Sequence, residues 1–408
     1  MLIRYFFILI FSFINLVLLS KILSYFNKNF KYLRKFIIFS VFISLITYLY
    51  SFSISHHLEF YLKSSRAVFI FSEIFYILFF IAFILSLGYL KFFTFLNKDS
   101  DENLLINKKN DKYKVVGVVC EQKLGEPKTT RRDFIKKGAF VFPILSLALT
   151  SKGVIEAYSN TLFPKIKLKF HNLPDSLNGL KIAQVSDLHL GIFITLNNWQ
   201  SMIDNLKKMK LDLLLLTGDF VDEYSLLDDA VKILSQIKPK YGIYSSSGNH
   251  EYSRGISPVL RAFKKYKIPY LRSKGHRIKI KDDYLFIGGV DDLYGVGSKF
   301  RKGYLKKTFY KTIKYCDKND FKILMSHRYK IFKYSIKNNI DLTLSGHSHG
   351  GQIGFNRRSL FEGINGHRYL WGKYQENNST MYVTAGAGHW FPFRINCPTE
   401  IPIFILEQ

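Results

Sequence analysis

Leu213-Leu214-Leu215-Leu216-Thr217-Gly218-Asp219-Phe220-Val221-Asp222 is an apolar run that stops on a glycine and a carboxylate. An unbroken aliphatic run of this length reads as a strand buried on both faces, the pattern of a parallel sheet. Ligands of such sheets collect beyond the carboxyl ends of the strands, so Asp219 is expected to point into a site. Alone the signal is weak, because Gly-Asp after a strand is commonly a turn.

The same grammar recurs at Lys181–Val185 before Ser186-Asp187-Leu188-His189, and at Tyr241–Ser247 before Gly248-Asn249-His250-Glu251. It appears twice more, at Phe321–Met325 before Ser326-His327 and at Asp341–Leu344 before Ser345-Gly346-His347-Ser348-His349. Five strand ends thus carry residue types that bind metals, where turn chemistry alone requires none. The series D-x-H, G-D-x-x-D, G-N-H-E, H and G-H-x-H resembles the calcineurin-like metallophosphoesterase family over the C-terminal part of the chain.

That resemblance implies an α/β fold, a two-sheet metallophosphoesterase sandwich flanked by helices, and two divalent metal ions of the Mn, Fe or Zn kind. By the same resemblance Asp187, His189, Asp219 and His349 would hold one ion, and Asp219, Asn249, His327 and His347 the other. His250 would stand near the leaving oxygen as general acid or transition-state stabiliser, a role suited to imidazole near neutral pH. Local chemistry adds reasons of its own. Asp187 and His189 are two apart, as are His347 and His349, so extended backbone would direct each pair to one side. Gly346, Gly350 and Gly351 would permit a tight loop around the second pair. Asn249 ligates only through its amide oxygen and adds no charge, leaving more metal charge for a phosphoryl oxyanion. Asp222 and Glu251 are read as turn-capping or orienting groups, and His171, His276, His367 and His389 as surface or core histidines.

Upstream, Tyr5–Leu23, Phe36–Ser55 and Ala67–Leu90 are aromatic-rich, nearly free of charge and close to the ~20 residues a helix needs to cross a bilayer. They are expected to form an α-helical membrane bundle over residues 1–92, with Glu73 inside the third helix as its one carboxylate. Residues 93–133 read as a basic cytoplasmic linker that ends in Thr129-Thr130-Arg131-Arg132-Asp133-Phe134-Ile135-Lys136-Lys137. This motif resembles a twin-arginine export signal placed internally; the alternative is an ordinary membrane helix with a basic entry. The apolar run Gly138–Thr150 lies in a fourth segment, 134–152, and no small-residue cleavage site follows it, so a retained anchor is expected. Lysines and arginines crowd the first and third loops, which puts those loops inside and the domain at 160–408 outside the cytoplasm of a multi-pass inner-membrane protein.

The formal charge of +28 is shared between those loops and basic runs at 261–281 and 301–314. Beside a membrane anchor such a surface suits anionic lipid headgroups; no nucleic-acid-binding module accompanies it, and no specific nucleic-acid partner is expected. Cys316 and Cys397 could form one disulfide or none, and no close cysteine pair offers a thiolate metal site. Gly346–Ile353, Ala385–Gly388 and Arg394–Glu400 resemble the bacterial membrane-attached and exported branch of the family. The expected activity is metal-dependent hydrolysis of a phosphoester, a phosphodiester or a lipid-linked phosphate, at the cell envelope. The alternatives are a pyrophosphatase acting on a UDP-diacylglucosamine-type lipid A precursor, or a non-catalytic membrane sensor or binding module.

Overall fold

The computed structural model describes Leu145 and residues 148–408, except Ile192 and Trp390. The three expected membrane helices, the basic linker and most of the fourth segment therefore lie outside the described residues, among which no helix is long and apolar enough to cross a membrane. Gly153–Gln408 forms one unit of the chain. Its strands are β1 (Lys165–Lys169), β2 (Lys181–Val185), β3 (Leu213–Thr217), β4 (Ile243–Ser246), β5 (Tyr270–Leu271), β6 (Lys274–Ile280), β7 (Asp283–Gly289), β8 (Phe321–Met325), β9 (Leu342–Ser345), β10 (Gly354–Phe355), β11 (Arg358–Ser359), β12 (Gly372–Glu376), β13 (Ser379–Val383) and β14 (Ile403–Glu407). Its α-helices are α1 (Leu196–Lys207), α2 (Leu227–Leu234), α3 (Asn249–Ser253), α4 (Ile256–Lys265), α5 (Arg301–Thr312) and α6 (Phe332–Lys337).

Two six-stranded mixed sheets carry the fold, in the orders β1-β14-β2-β3-β4-β5 and β12-β13-β9-β8-β7-β6. β2, β3, β4 and β5 run parallel in the first, and β7, β8, β9 and β13 run parallel in the second. The quoted leucine run shows why both faces are buried. Leu213 and Leu215 join Ile182, Tyr244, Ile287, Ile323, Met325, Leu342, Leu344 and Phe404 in one core that draws on both sheets. Leu214 and Leu216 point the other way and pack on Trp199, Ile203 and Leu206 of α1, Val231 and Leu234 of α2, and Phe263 of α4. Alternation within an all-leucine strand thus feeds two cores, as a sheet covered on both sides requires. On the second sheet Leu324 packs instead with Leu305 and Phe309 of α5.

A buried polar group ties the sheets near the carboxyl ends of their parallel strands. Gln184 in β2 is fully buried, and its amide donates to Thr217 Oγ1 in β3 and to the Ser345 carbonyl in β9, both at 3.0 Å. Because β2, β3, β4, β8 and β9 are parallel within their sheets, their carboxyl ends gather at one place.

Candidate metal centre

The five strand ends converge. Asp187, His189 and His349 form one group whose ligand-type atoms all lie within 4.8 Å of one another, and Asp219, His327 and His347 form a second. Asp219 stands between them, with Oδ2 3.1 Å from His327 Nε2 and 3.7 Å from His189 Nε2. His349 Nε2 is 3.5 Å from Asp187 Oδ1 and 3.2 Å from His189 Nε2. His347 Nδ1 is 3.2 Å from His327 Nε2. Two nitrogens held by one ion at 2.0–2.1 Å in a tetrahedral shell lie about 3.3 Å apart, so these imidazole pairs already have the spacing of a metal's shell. Mixed carboxylate and imidazole donors suit Mn, Fe or Zn, and the residues present fit such ions.

The backbone achieves this differently from the extended geometry expected. Asp187, His189, Asp219, His347 and His349 have φ of 53°, 48°, 53°, 69° and 49°. Non-glycine residues in the left-handed region are uncommon and concentrate at functional sites. The turn just past each strand therefore aims these side chains, in place of strand alternation. Gly350 and Gly351, both at φ 64°, complete the last of these turns as anticipated. Close approach is the second device. A Cβ on Gly248 would come within 2.2 Å of Asp219 Oδ1, and one on Gly346 within 2.1 Å of Asp187 Oδ2.

Around the cluster the polar groups are ordered by named partners. His347 N–H donates to both oxygens of Asp187 at 3.0 Å, and His250 N–H donates to Asp219 Oδ1 at 2.8 Å. His327 Nδ1 meets the Thr217 carbonyl at 2.9 Å, which turns Nε2 toward Asp219. The buried Glu251 accepts from the backbone N–H of Gly248, Asp219 and Phe220 at 2.8, 3.0 and 2.8 Å, so it anchors the loops and stays clear of the ligand cluster. Asp222 contacts two imidazoles, at 3.2 Å from His189 Nδ1 and 2.6 Å from His250 Nδ1. Asp222 also forms a third group of ligand-type atoms with His189 and His250, all within 4.8 Å of one another.

Charge follows from this packing. Burial pulls His327 down, but the Asp219 carboxylate outweighs it and lifts the imidazole to about 10. Burial raises Asp219, yet His327 and then His189 hold it well below the ordinary carboxylate range. Burial, then the neighbouring His327 and Arg328, press His347 down to about 2, and burial, His189 and Arg394 push His349 well below its ordinary value. The carboxylates thus favour positive charge on His327 and, against burial, on His189 through Asp222 and Asp219, whereas His347 and His349 are pushed toward the neutral form that ligates metals.

Sequence reasoning missed two arginines. Arg328 follows His327 and places NH1 2.7 Å from His347 Nε2 and NH2 3.2 Å from Asn249 Oδ1. Its Nε pairs with Asp292 at 2.8 Å. The sole signal was its adjacency to a predicted ligand. Arg394 is fully buried and donates to the carbonyls of Cys397, Ala385 and Gly388, with NH2 3.4 Å from His349 Nδ1. His171, His276 and His367 are exposed. His389 is buried, packs against Tyr158 and Phe193, and has no hydrogen-bond partner at either ring nitrogen. Cys316 and Cys397 are free thiols, which settles the disulfide alternative.

The aspartates and histidines of this two-sheet α/β sandwich converge beyond parallel strand ends, where such sheets bind their ligands, and form a candidate metal site. A family profile described as calcineurin-like phosphoesterase matches residues 180–351. A metallophosphoesterase of Aquifex aeolicus is 31% identical over 267 residues, covering 62% of this chain and 97% of that protein. Proteins described as "transmembrane protein with metallophosphoesterase domain" match from Danio rerio, 28% identical over 71% of this chain, and Bos taurus, 27% identical over 65%. The chain spans 69% and 61% of those two relatives. It belongs to the calcineurin-like metallophosphoesterase family and is a hydrolase of phosphoesters with a candidate metal-binding site.

Proposed function

We propose that the chain is a membrane-attached phosphoesterase that holds two divalent ions, one on Asp187, His189, Asp219 and His349 and one on Asp219, Asn249, His327 and His347. The observation that carries this reading is the place of Asp219 Oδ2 between His189 Nε2 and His327 Nε2, at 3.7 and 3.1 Å. A carboxylate in that position is suited to serve both groups. Two such ions, when bound, polarise a phosphoryl group and lower the pKa of a water between them. Asn249, His250, His347 and Arg328 are half-buried, whereas Asp187, His189, Asp219, His327 and His349 are buried, so substrate meets the former. His250 Nδ1 is held by Asp222, which fixes the ring so that Nε2 is presented as proton donor to a leaving oxygen.

The substrate class favoured is a phosphodiester or a lipid-linked phosphate. The β10–β11 hairpin and the loop after it bear exposed Phe355, Leu360 and Ile364, with Arg357 and Arg358 also exposed. Phe361 of that loop abuts Gly351, two residues past His349. Apolar side chains flanked by arginines suit an anionic lipid surface. Membrane attachment is also favoured by the names of the Danio rerio and Bos taurus relatives and by the apolar segments upstream. The distribution of basic loops favours an extracytoplasmic domain.

The test is hydrolysis of a chromogenic phosphodiester by the full chain with added manganese, and its loss on chelation. No turnover with any divalent ion would favour the non-catalytic sensor.

A further inference from the structure

We propose that the β10–β11 hairpin and the loop after it form a wedge that docks into an anionic bilayer and seats the His349 turn of the site against the lipid headgroups. This names the partner of the site, and its consequence for turnover rests on the phosphoesterase reading above.

The hairpin has an inner and an outer face. Asn356 and Arg357, with φ of 47° and 55°, make a two-residue turn, and the register pairs Gly354 with Ser359 and Phe355 with Arg358. The first pair faces inward: a Cβ on Gly354 would come within 2.9 Å of the Trp371 ring, and Ser359 and Trp371 are both buried. The second pair faces out, with Phe355 79% exposed. In the loop that follows, Leu360 and Ile364 are 68% and 52% exposed. One exposed apolar side chain is ordinary, whereas several large ones in so short a stretch mark a surface made to meet another.

The charges say what that other surface is. Arg357, Arg358 and Arg368 accompany the apolar tips against the single carboxylate of the stretch, Glu362, which is engaged by the Tyr374 hydroxyl and the Leu370 N–H. Cations around apolar tips are complementary to anionic headgroups over an acyl interior. A second copy docked symmetrically through this patch would instead bring the same arginines into opposition.

The point at which the chain enters this unit indicates the same partner. Upstream of Gly153 lie the apolar, nearly charge-free stretches 5–23, 36–55, 67–90 and 138–150. The Gly153 carbonyl accepts from Arg394 N–H at 2.8 Å. Gln352 donates to the Phe391 and Phe393 carbonyls at 2.7 and 2.8 Å, and the Ile395 carbonyl accepts from Gly354 N–H at 3.0 Å. Segment 391–395 therefore holds the entry point and the root of β10 together, so a membrane reached by the upstream chain is within reach of the hairpin. β10 in turn begins five positions past His349.

The experiment places the full chain in lipid nanodiscs of phosphatidylcholine with or without phosphatidylglycerol. It reads the fluorescence added by Phe355→Trp or Leu360→Trp over the parent chain, with Phe300→Trp, at the exposed start of α5 on another basic face, as control. Bromine on the acyl chains near the headgroups should quench both hairpin variants and spare the control, and phosphatidylglycerol should strengthen the quenching. Arg357→Glu with Arg368→Glu should weaken it. Free access of aqueous acrylamide to the hairpin variants in the discs, without quenching by bromine, would overturn the docking. Shielding from acrylamide without quenching by bromine would place a protein on the hairpin, a second copy included, and overturn it equally. For turnover, Leu360→Asp with Ile364→Asp should lower hydrolysis of an acylated chromogenic phosphodiester in the discs at least about 10-fold and leave hydrolysis of its non-acylated counterpart unchanged. Equal loss of both activities, or loss of neither, would overturn the consequence for turnover. Hydrolysis of neither compound by the manganese-loaded wild type would sink the phosphoesterase reading, and the quenching would still decide the docking.

Discussion

The Asp222 carboxylate meets His250 Nδ1 at 2.6 Å. The other oxygen of the same carboxylate lies 3.2 Å from His189 Nδ1, so one side chain sets the ring orientation of a candidate ligand and of the candidate acid. Burial raises Asp222, but its bonds to His189 and His250 hold it far below the usual carboxylate range, and it stays ionised in any physiological medium. Asp222→Asn should retain the fold and lower kcat about 10–100-fold, the usual cost of losing a partner behind a metal-site histidine. Steady-state kinetics at constant metal occupancy checks this; unchanged kcat would show that neither ring depends on Asp222.

His250→Ala should lower kcat by about 10²–10⁴, the typical contribution of a positioned general acid, with the metal content of the protein unchanged. Atomic absorption on the purified variant decides. Loss of one metal equivalent would make His250 a ligand.

Asp219→Ala and His349→Ala should each abolish turnover, and Asp219→Ala should bind less metal than His349→Ala because Asp219 faces both groups. Persistent hydrolysis in both variants would remove the two-ion scheme.

Metal loading should release a proton near neutral pH. His327 titrates at about 10 in the metal-free site because of Asp219, so it is protonated at pH 7, and an ion must displace that proton. Calorimetry in buffers of different ionisation enthalpy should report the release, and apparent affinity should rise with pH up to about 10. The sign for stability of the metal-free chain follows from the same pair. The raised His327 contributes stability that is complete below its ordinary 6.5 and fades as pH rises toward about 10. The depressed Asp219 contributes above its ordinary 3.8 and fades as pH falls below that value. Urea midpoints of the metal-free chain should therefore fall from pH 6 to pH 10, and adding metal should flatten that slope.

Glu251→Ala should destabilise the chain by at least about 3 kcal/mol, because three buried N–H groups lose their acceptor at roughly 1 kcal/mol or more each. Equilibrium urea denaturation measures it. A change below about 1 kcal/mol would mean that water replaces the carboxylate.

Much of the site was legible because its grammar is local. Each candidate ligand follows an apolar run at a parallel strand end, and Asp187, Asp219, Asn249, His327 and His347, far apart in sequence, come together in space once the strands align. The leucine run likewise announced a strand covered on both sides. Other features depend on partners distant in sequence. That β14 returns from the C-terminus to lie between β1 and β2 is fixed by pairings such as Lys165 with Ile403, which no local pattern encodes. The left-handed turns at Asp187 and His189 were hidden because nothing in D-x-H distinguishes extended from turned backbone. Arg328 was passed over as one charge among many, and its meaning comes from Asp292, Asn249 and His347 meeting it from three other segments.

Asp219 stands at the end of β3 in one sheet and His327 just past β8 in the other, 3.1 Å apart across the sandwich. An ion held there would act as a clasp between two halves that also meet through apolar side chains, Gln184 and the contacts of His327 with Thr217 and of His347 with Asp187. Chelate closure of this kind makes parting of the sheets and loss of the ion a single event. Occupancy would then govern how long the folded chain survives proteolysis, and a cell short of the metal would lose the protein as well as its activity.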